Sequence, residues 1–130
     1  MRKHKYGVLA TVTSDNVPEA AYIGIAVTAD LHIIFDTVSD SRKYKNLVQN
    51  PKIAMVIGWD NEQTIQYEGI ASIPTTNELE TLLPVYFSNF PDGIDRKKNW
   101  KNIVYISVKP KWLRYSDFNE STYQVEEFTF

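Results

Sequence analysis

The chain lacks cysteine entirely and has only two histidines, and both absences narrow its chemistry. Without cysteine it can form no disulfide, thiolate nucleophile or cysteine-based zinc site. His4 and His32 are far apart in sequence and do not have the spacing of convergent metal ligands, so no metal site is predicted. No run of about 18 apolar residues is present, which argues against a membrane-spanning helix.

The chain also lacks an excess of positive charge. Its 130 residues carry 14 Lys and Arg against 16 Asp and Glu, a net charge of −2 with His neutral. Nucleic-acid-binding domains usually carry a strong basic surplus, so no nucleic-acid partner is expected. The length suits one domain, predicted to cover residues 1–130. Polar residues interrupt the apolar run behind the basic start, so no secretory signal is predicted and a cytoplasmic location is expected.

The pattern of apolar residues predicts a β-rich domain with two helices. The first three strands are expected to form an antiparallel meander. Helices are predicted over 41–49 and from the capping-box pattern at 75–78 onward, with Pro84 kinking or shortening the second. Segment 88–99 is predicted to be a loop, 109–111 a turn, and the aromatic tail over 119–130 suits packing on the domain or on a partner. Strands are predicted over 6–13, 20–28, 31–35, 52–59, 64–73, 103–108 and 112–118.

The connections between these strands decide the predicted architecture. Most are too short for the helical crossover that a parallel, doubly wound sheet requires. Six or seven short strands with two helices therefore predict a small closed or nearly closed antiparallel β-barrel with helices at its rim.

The junction between the third strand and the first helix has the features of an anion site. The strand ends near Asp36, and the helix begins with Ser41-Arg42-Lys43 after a polar turn that offers several suitable N-caps. Unpaired backbone N–H groups, the positive end of the helix dipole and two cationic side chains would meet here. A phosphate-binding site is therefore predicted. The alternative is a capped surface helix with solvated cations.

An ordered set of short motifs resembles a known family. The set comprises Phe35-Asp36-Thr37, Ser41-Arg42-Lys43, Asn50-Pro51, Trp59 and Glu68-Gly69. It resembles the pyridoxine 5′-phosphate oxidase-like, FMN-binding split-barrel family, and the opening residues 7–18 resemble that family's first hairpin. The resemblance covers about residues 6–118. It implies a mainly β, six-stranded antiparallel split barrel and a homodimer with FMN at the interface. It also implies an oxidoreductase acting on a small-molecule substrate that remains unidentified.

The same resemblance implies which residues contact the cofactor. Ser41, Arg42 and Lys43 at the helix start would bind the FMN phosphate. Asp36 and Thr37, which end the third strand, would lie along the ribityl chain and ring. Thr64 would face the flavin or the partner subunit. Trp112 and Arg114 resemble a Trp-x-Arg segment late in family chains. No catalytic residue is assigned, because hydride exchange on a flavin requires no acid or base group. The candidate cofactor residues are Asp36, Thr37, Ser41, Arg42, Lys43, Thr64, Trp112 and Arg114.

The chain departs from pyridoxine phosphate oxidases at three places. Their Arg and Lys on the second strand are Ala21 and Ala26 here, their usual flavin-contacting glutamine is Thr64, and their basic C-terminal segment has no counterpart in residues 123–128. These differences argue against the vitamin B6 reaction and predict an FMN site with fewer charges. Two alternatives therefore stand beside an FMN oxidoreductase. One is a non-enzymatic flavin-binding or stress-associated module, and the other is a relative that binds haem or a deazaflavin.

Overall fold

The computed structural model describes residues 1–130 and contains eight strands and three helices. No helix is both long enough and apolar enough to cross a membrane. The helices are α1 (Arg42–Gln49), α2 (Thr76–Asn89) and α3 (Gly93–Asn99). The strands are β1 (Tyr6–Val12), β2 (Pro18–Gly24), β3 (Ala26–Val27), β4 (Ile33–Val38), β5 (Lys52–Ile57), β6 (Gln63–Ser72), β7 (Ile103–Asp117) and β8 (Gln124–Thr129).

All strands belong to one antiparallel sheet that curls on itself. The order is β2-β1-β5-β6-β7-β4-β3, and β8 pairs with β7. β2 and β3 lie at opposite ends of this order, yet only the fully buried Ile25 separates them in sequence. The two edges of the sheet must therefore approach each other, as they do when a sheet rolls towards a barrel. The predicted split barrel is confirmed.

The predicted meander of the first three strands is only partly right. β1 and β2 form a hairpin with Val12 opposite Pro18, and β3 and β4 form a second hairpin. The single strand predicted over 20–28 is broken at Ile25, because the chain passes there from one sheet edge to the other. β2 consequently pairs with β1, and β3 pairs with β4.

The turn predicted at 109–111 is wrong, because β7 continues through it. Glu68 on β6 lies opposite Trp112, and the next residue, Gly69, lies opposite Pro110, which leaves Lys111 as the extra residue of a bulge. Strands tolerate proline at bulges, where the ladder is already disrupted. Gly69 is required here, since an added Cβ would lie 2.5 Å from a methyl carbon of Val108.

Both predicted helix starts are confirmed, but the region that follows differs from the prediction. Thr75 and Glu78 form the predicted capping box. Pro84 lies inside α2 without ending it, so the predicted shortening is wrong. Burial of Leu82 and Tyr86 beneath the helix outweighs the lost hydrogen bond. The predicted loop over 88–99 instead contains the end of α2 and all of α3.

Apolar side chains pack in two clusters, and one face of the sheet stays uncovered. The larger cluster fills the inside of the curl, and α1 contributes Leu47 to it. The smaller cluster lies between α2 and β3, β4 and β7. None of the three helices covers the outer face of β1, β5 and β6. The tail forms β8 along β7, and every residue of β8 is exposed.

Candidate functional site: a cationic cavity and an apolar sheet face

The start of α1 is a capped helix end with free backbone donors. The Thr37 hydroxyl donates to Ser41 Oγ over 2.9 Å, and Ser41 Oγ accepts the Tyr44 N–H over 3.2 Å. No hydrogen bond within the chain uses the N–H groups of Arg42 and Lys43. These donors, together with the helix dipole, favour an anion at this point.

The side chains of Arg42 and Lys43 border a cavity of about 200 Å³ between α1, β1 and β2. Ala20 and Ala21 keep this cavity open because their side chains are short. Lys43 forms no ion pair within the chain, so its ammonium is available to a ligand. The cavity is lined by Leu9, Thr11, Glu19, Ala20, Ala21, Arg42 and Lys43.

An acidic residue that sequence reasoning missed also borders this cationic cavity. Arg42 Nε lies 2.6 Å from Glu19 Oε2. The hydrogen bond from Arg42 holds the pKa of Glu19 below its ordinary value, and the same contact raises the pKa of Arg42. Glu19 is therefore ionised at neutral pH and compensates one of the two cations. Only the pairing of β2 with β1, beside α1, brings it here, and no local pattern indicates that contact.

Asp36 and Thr37 lie at the end of β4, but their side chains have different partners. Thr37 contacts Ser41, as described above. The Asp36 carboxylate lies 3.1 Å from Arg96 Nε, and the same guanidinium contacts Asp92 and the Tyr86 hydroxyl. Asp36 is therefore already paired with a residue of α3, and its predicted contact with the flavin stays a prediction.

Thr64, Trp112 and Arg114 lie together on the outer face of the sheet. The register places Thr64 opposite Ser116 and Trp112 opposite Glu68, so all three side chains share one face. Thr64 and Trp112 border a shallow cavity of about 410 Å³ there. Arg114 Nε lies 3.6 Å from the Glu127 carboxylate of β8 and is buried without a hydrogen-bond partner. Most of the residues around the cavity are hydrophobic: Val8, Ala10, Ala54, Met55, Val56, Thr64, Gln66, Tyr67, Glu68 and Trp112.

The cationic cavity and the sheet face lie on opposite sides of β1. Val8 and Ala10 border the sheet-face cavity, whereas the alternate residues Leu9 and Thr11 border the cationic cavity. Successive side chains of a strand point to opposite faces. The eight predicted residues therefore do not form one cavity within a single chain.

Exposed aromatic rings extend the apolar sheet face. The rings of Tyr6 and Tyr22 stack with centroids 5.1 Å apart, and the Trp59 ring lies 6.4 Å from that of Tyr22. All three side chains are exposed. A large exposed apolar patch is typical of a binding surface.

The two alanines that depart from the oxidase pattern have different surroundings. Ala21 borders the cationic cavity. Ala26 is fully buried in the cluster beneath α2 and does not border it. Of the two alanines, therefore, only Ala21 gives the cationic cavity one positive charge fewer than the oxidase pattern would.

The curled antiparallel sheet and its flanking helices place the chain in the class of split-barrel proteins. The family model described as Pyridoxamine 5′-phosphate oxidase matches residues 1–117, and the chain therefore belongs to that family.

A sequence relative is consistent with this membership, and two solved structures share the fold. The pyridoxine/pyridoxamine 5′-phosphate oxidase of Ehrlichia chaffeensis is 29% identical over 87 residues, which are 66% of this chain and 42% of that protein. The aligned part therefore spans less than half of that relative. The heme binding protein from Mycobacterium smegmatis superposes with a TM-score of 0.79 at 15% identity, over 97% of this chain and 53% of its own. General Stress Protein 26 from Bacillus anthracis gives 0.70 at 23% identity, over 98% and 90%.

Proposed function

We propose that the chain is a homodimeric FMN-binding protein that uses the flavin as a redox cofactor for a small-molecule substrate. The observation that carries the proposal is the start of α1. There the N–H groups of Arg42 and Lys43 have no hydrogen-bond partner within the chain, Lys43 forms no ion pair, and both residues line an open cavity. Charge-assisted hydrogen bonds of this kind are the strong contacts by which proteins hold a phosphate.

The cationic cavity would hold the phosphate, and the apolar sheet face would supply a wall for the ring. Bound FMN supplies the hydride or electron chemistry, and the protein's part is to bind and orient it. Trp112 offers a flat aromatic surface, and Thr64 offers a hydroxyl beside it. Family membership supports a flavin as the ligand, since FMN has a phosphate for the anchor and a flat ring for the sheet face.

A second copy of the chain would bring the two parts of the site together. The phosphate anchor and the ring wall lie on opposite sides of β1, so one chain does not present both to one ligand. The uncovered sheet face and the exposed strand β8 are surfaces that a partner would bury. In the proposed dimer, the anchor of one copy and Thr64, Trp112 and Arg114 of the other line each flavin site.

Titration with FMN tests the anchor. The double substitution Arg42→Ala with Lys43→Ala is expected to weaken FMN binding at least about tenfold, because two charge-assisted contacts are lost. Quenching of flavin fluorescence measures the dissociation constant. Lys45→Ala is the matched control, since Lys45 is exposed on the same helix and does not border the cavity. Unchanged FMN affinity in the double variant would refute the anchor.

Redox turnover is tested separately from binding. Bleaching of the bound flavin by NADH or NADPH, followed by reoxidation in air, is expected of an oxidoreductase. A flavin that binds and is not reduced would identify the non-enzymatic module instead.

Haem binding is the second candidate, and the surroundings of His4 favour it. His4 and Met1 border a second cavity of about 410 Å³, which shares Thr64 with the sheet-face cavity. Burial lowers the pKa of His4, and the nearby Lys3 lowers it further while Asp60 opposes them. His4 is thus a neutral imidazole at pH 7, the form that binds a metal. A Soret shift on adding haemin, abolished by His4→Ala, is the expected sign of this function.

A further inference from the structure

Glu19 is the more buried member of its ion pair with Arg42. Glu19 lies opposite Thr11 in the pairing of β2 with β1, which fixes its backbone. Its side chain is 17% exposed, against 80% for that of Arg42. The Glu19 carboxylate therefore lies at the wall of the cavity, and the Arg42 guanidinium meets it from the solvent side.

The Glu19 carboxylate reduces the positive charge available to a ligand. With Arg42 paired, Lys43 is the one uncompensated cation among the residues that border the cavity. A phosphate monoester carries a charge of about −1.5 to −2 at pH 7 and seeks the same guanidinium. The neighbouring alanines, Ala20 and Ala21, provide room for the phosphate but no further charge. Two anions consequently compete for one guanidinium.

We propose that Glu19 is an internal competitor for the ligand's phosphate, so that FMN binds by displacing the Glu19 carboxylate from Arg42. This inference rests on the proposed FMN anchor. It makes Glu19 the residue that sets selectivity between phosphorylated and unphosphorylated flavins.

The test compares two flavins that share the ring and differ in the phosphate. Dissociation constants for FMN and for riboflavin are measured on the wild type and on Glu19→Gln. In the variant the preference for FMN over riboflavin is expected to rise about tenfold, since a single like-charge contact is removed next to the phosphate. Riboflavin affinity is expected to stay constant. Glu80→Gln is the matched control, because it removes the same charge at an exposed site on α2.

A second comparison shows whether Glu19 acts through Arg42. In an Arg42→Ala background, Glu19→Gln is expected to give a much smaller gain in FMN preference. An undiminished gain would overturn the competition for the guanidinium. Thermal unfolding of each variant verifies that the fold is intact before the titration.

Failure of this inference can be told apart from failure of the anchor. If the wild type binds FMN better than riboflavin but Glu19→Gln leaves that preference unchanged, Glu19 is no competitor and the anchor stands. If the wild type and Glu19→Gln bind neither flavin, both proposals are overturned.

Discussion

Replacing Tyr67 with phenylalanine tests how the barrel holds its β3–β4 hairpin. Tyr67 is completely buried, and its hydroxyl lies 3.1 Å from the Leu31 carbonyl and 3.2 Å from the Val108 carbonyl. The Tyr67 hydroxyl on β6 therefore contacts both β7 and the turn between β3 and β4. Leu31 has a φ of 65°, a left-handed conformation that is strained for leucine and needs such support.

The magnitude follows from what the substitution removes. Phenylalanine keeps the ring and leaves no large cavity, so the packing of Tyr67 is retained. Losing a net hydrogen bond costs about 0.5–1.5 kcal/mol, and a loss within that range is expected because one phenolic hydrogen serves both carbonyls. Truncation to alanine would also remove the ring and cost about 3–5 kcal/mol.

Urea denaturation followed by tryptophan fluorescence measures this change. Tyr67→Phe is expected to lower the midpoint while leaving the slope of free energy against urea unchanged, because the folded surface is the same. A midpoint equal to that of the wild type would refute the claim that the hydroxyl ties these strands together.

Three further predictions concern the pH dependence, the bulge and the oligomer. A backbone N–H and the side chain of Asn119 hold the pKa of Asp117 at about 2, below its ordinary value. The Asp117 carboxylate therefore makes its full contribution to the free energy of unfolding above about pH 4, and this contribution is lost as the pH falls towards 2. In Asp117→Asn the urea midpoint should depend less on pH over that range. Gly69→Ala should lower the melting temperature, equivalent to about 1–3 kcal/mol, because its Cβ would overlap Val108; an unchanged melting temperature would contradict the close packing. Val56→Glu, on the uncovered sheet face, should halve the mass that light scattering measures for the proposed dimer, whereas Val17→Glu at the hairpin end should leave that mass unchanged. An unchanged mass in Val56→Glu would contradict the proposed interface.

Local signals in the sequence predicted most of the elements correctly, and the errors have a common cause. The break at Ile25 depends on which sheet edge each half of the strand joins, and no local residue pattern encodes that choice. Pro110 signals a turn locally, but pairing with β6 turns it into part of a bulge. α3 has several loop-forming residues at its start, and Arg96 ties it to Asp36, which is 60 residues away in sequence. Long-range pairing decided each case.

The candidate site divides in the same way. The capped helix start at Ser41 to Lys43 could be predicted because a strand, a turn and a helix follow one another directly. Glu19 could not, since its contact with Arg42 requires β2 to lie beside α1. Thr64 and Trp112 lie on the opposite face of the sheet from the anchor. That separation likewise follows from strand register, which composition does not reveal.

A crystal structure of the protein grown with FMN is the most direct measurement of the central claim. We expect the phosphate within hydrogen-bonding distance of Lys43 and of the N–H groups at the start of α1. We also expect the ring to lie against the outer sheet face of a second copy. A phosphate bound away from this cavity, or a ring that touches only the chain holding its phosphate, would contradict the proposed site.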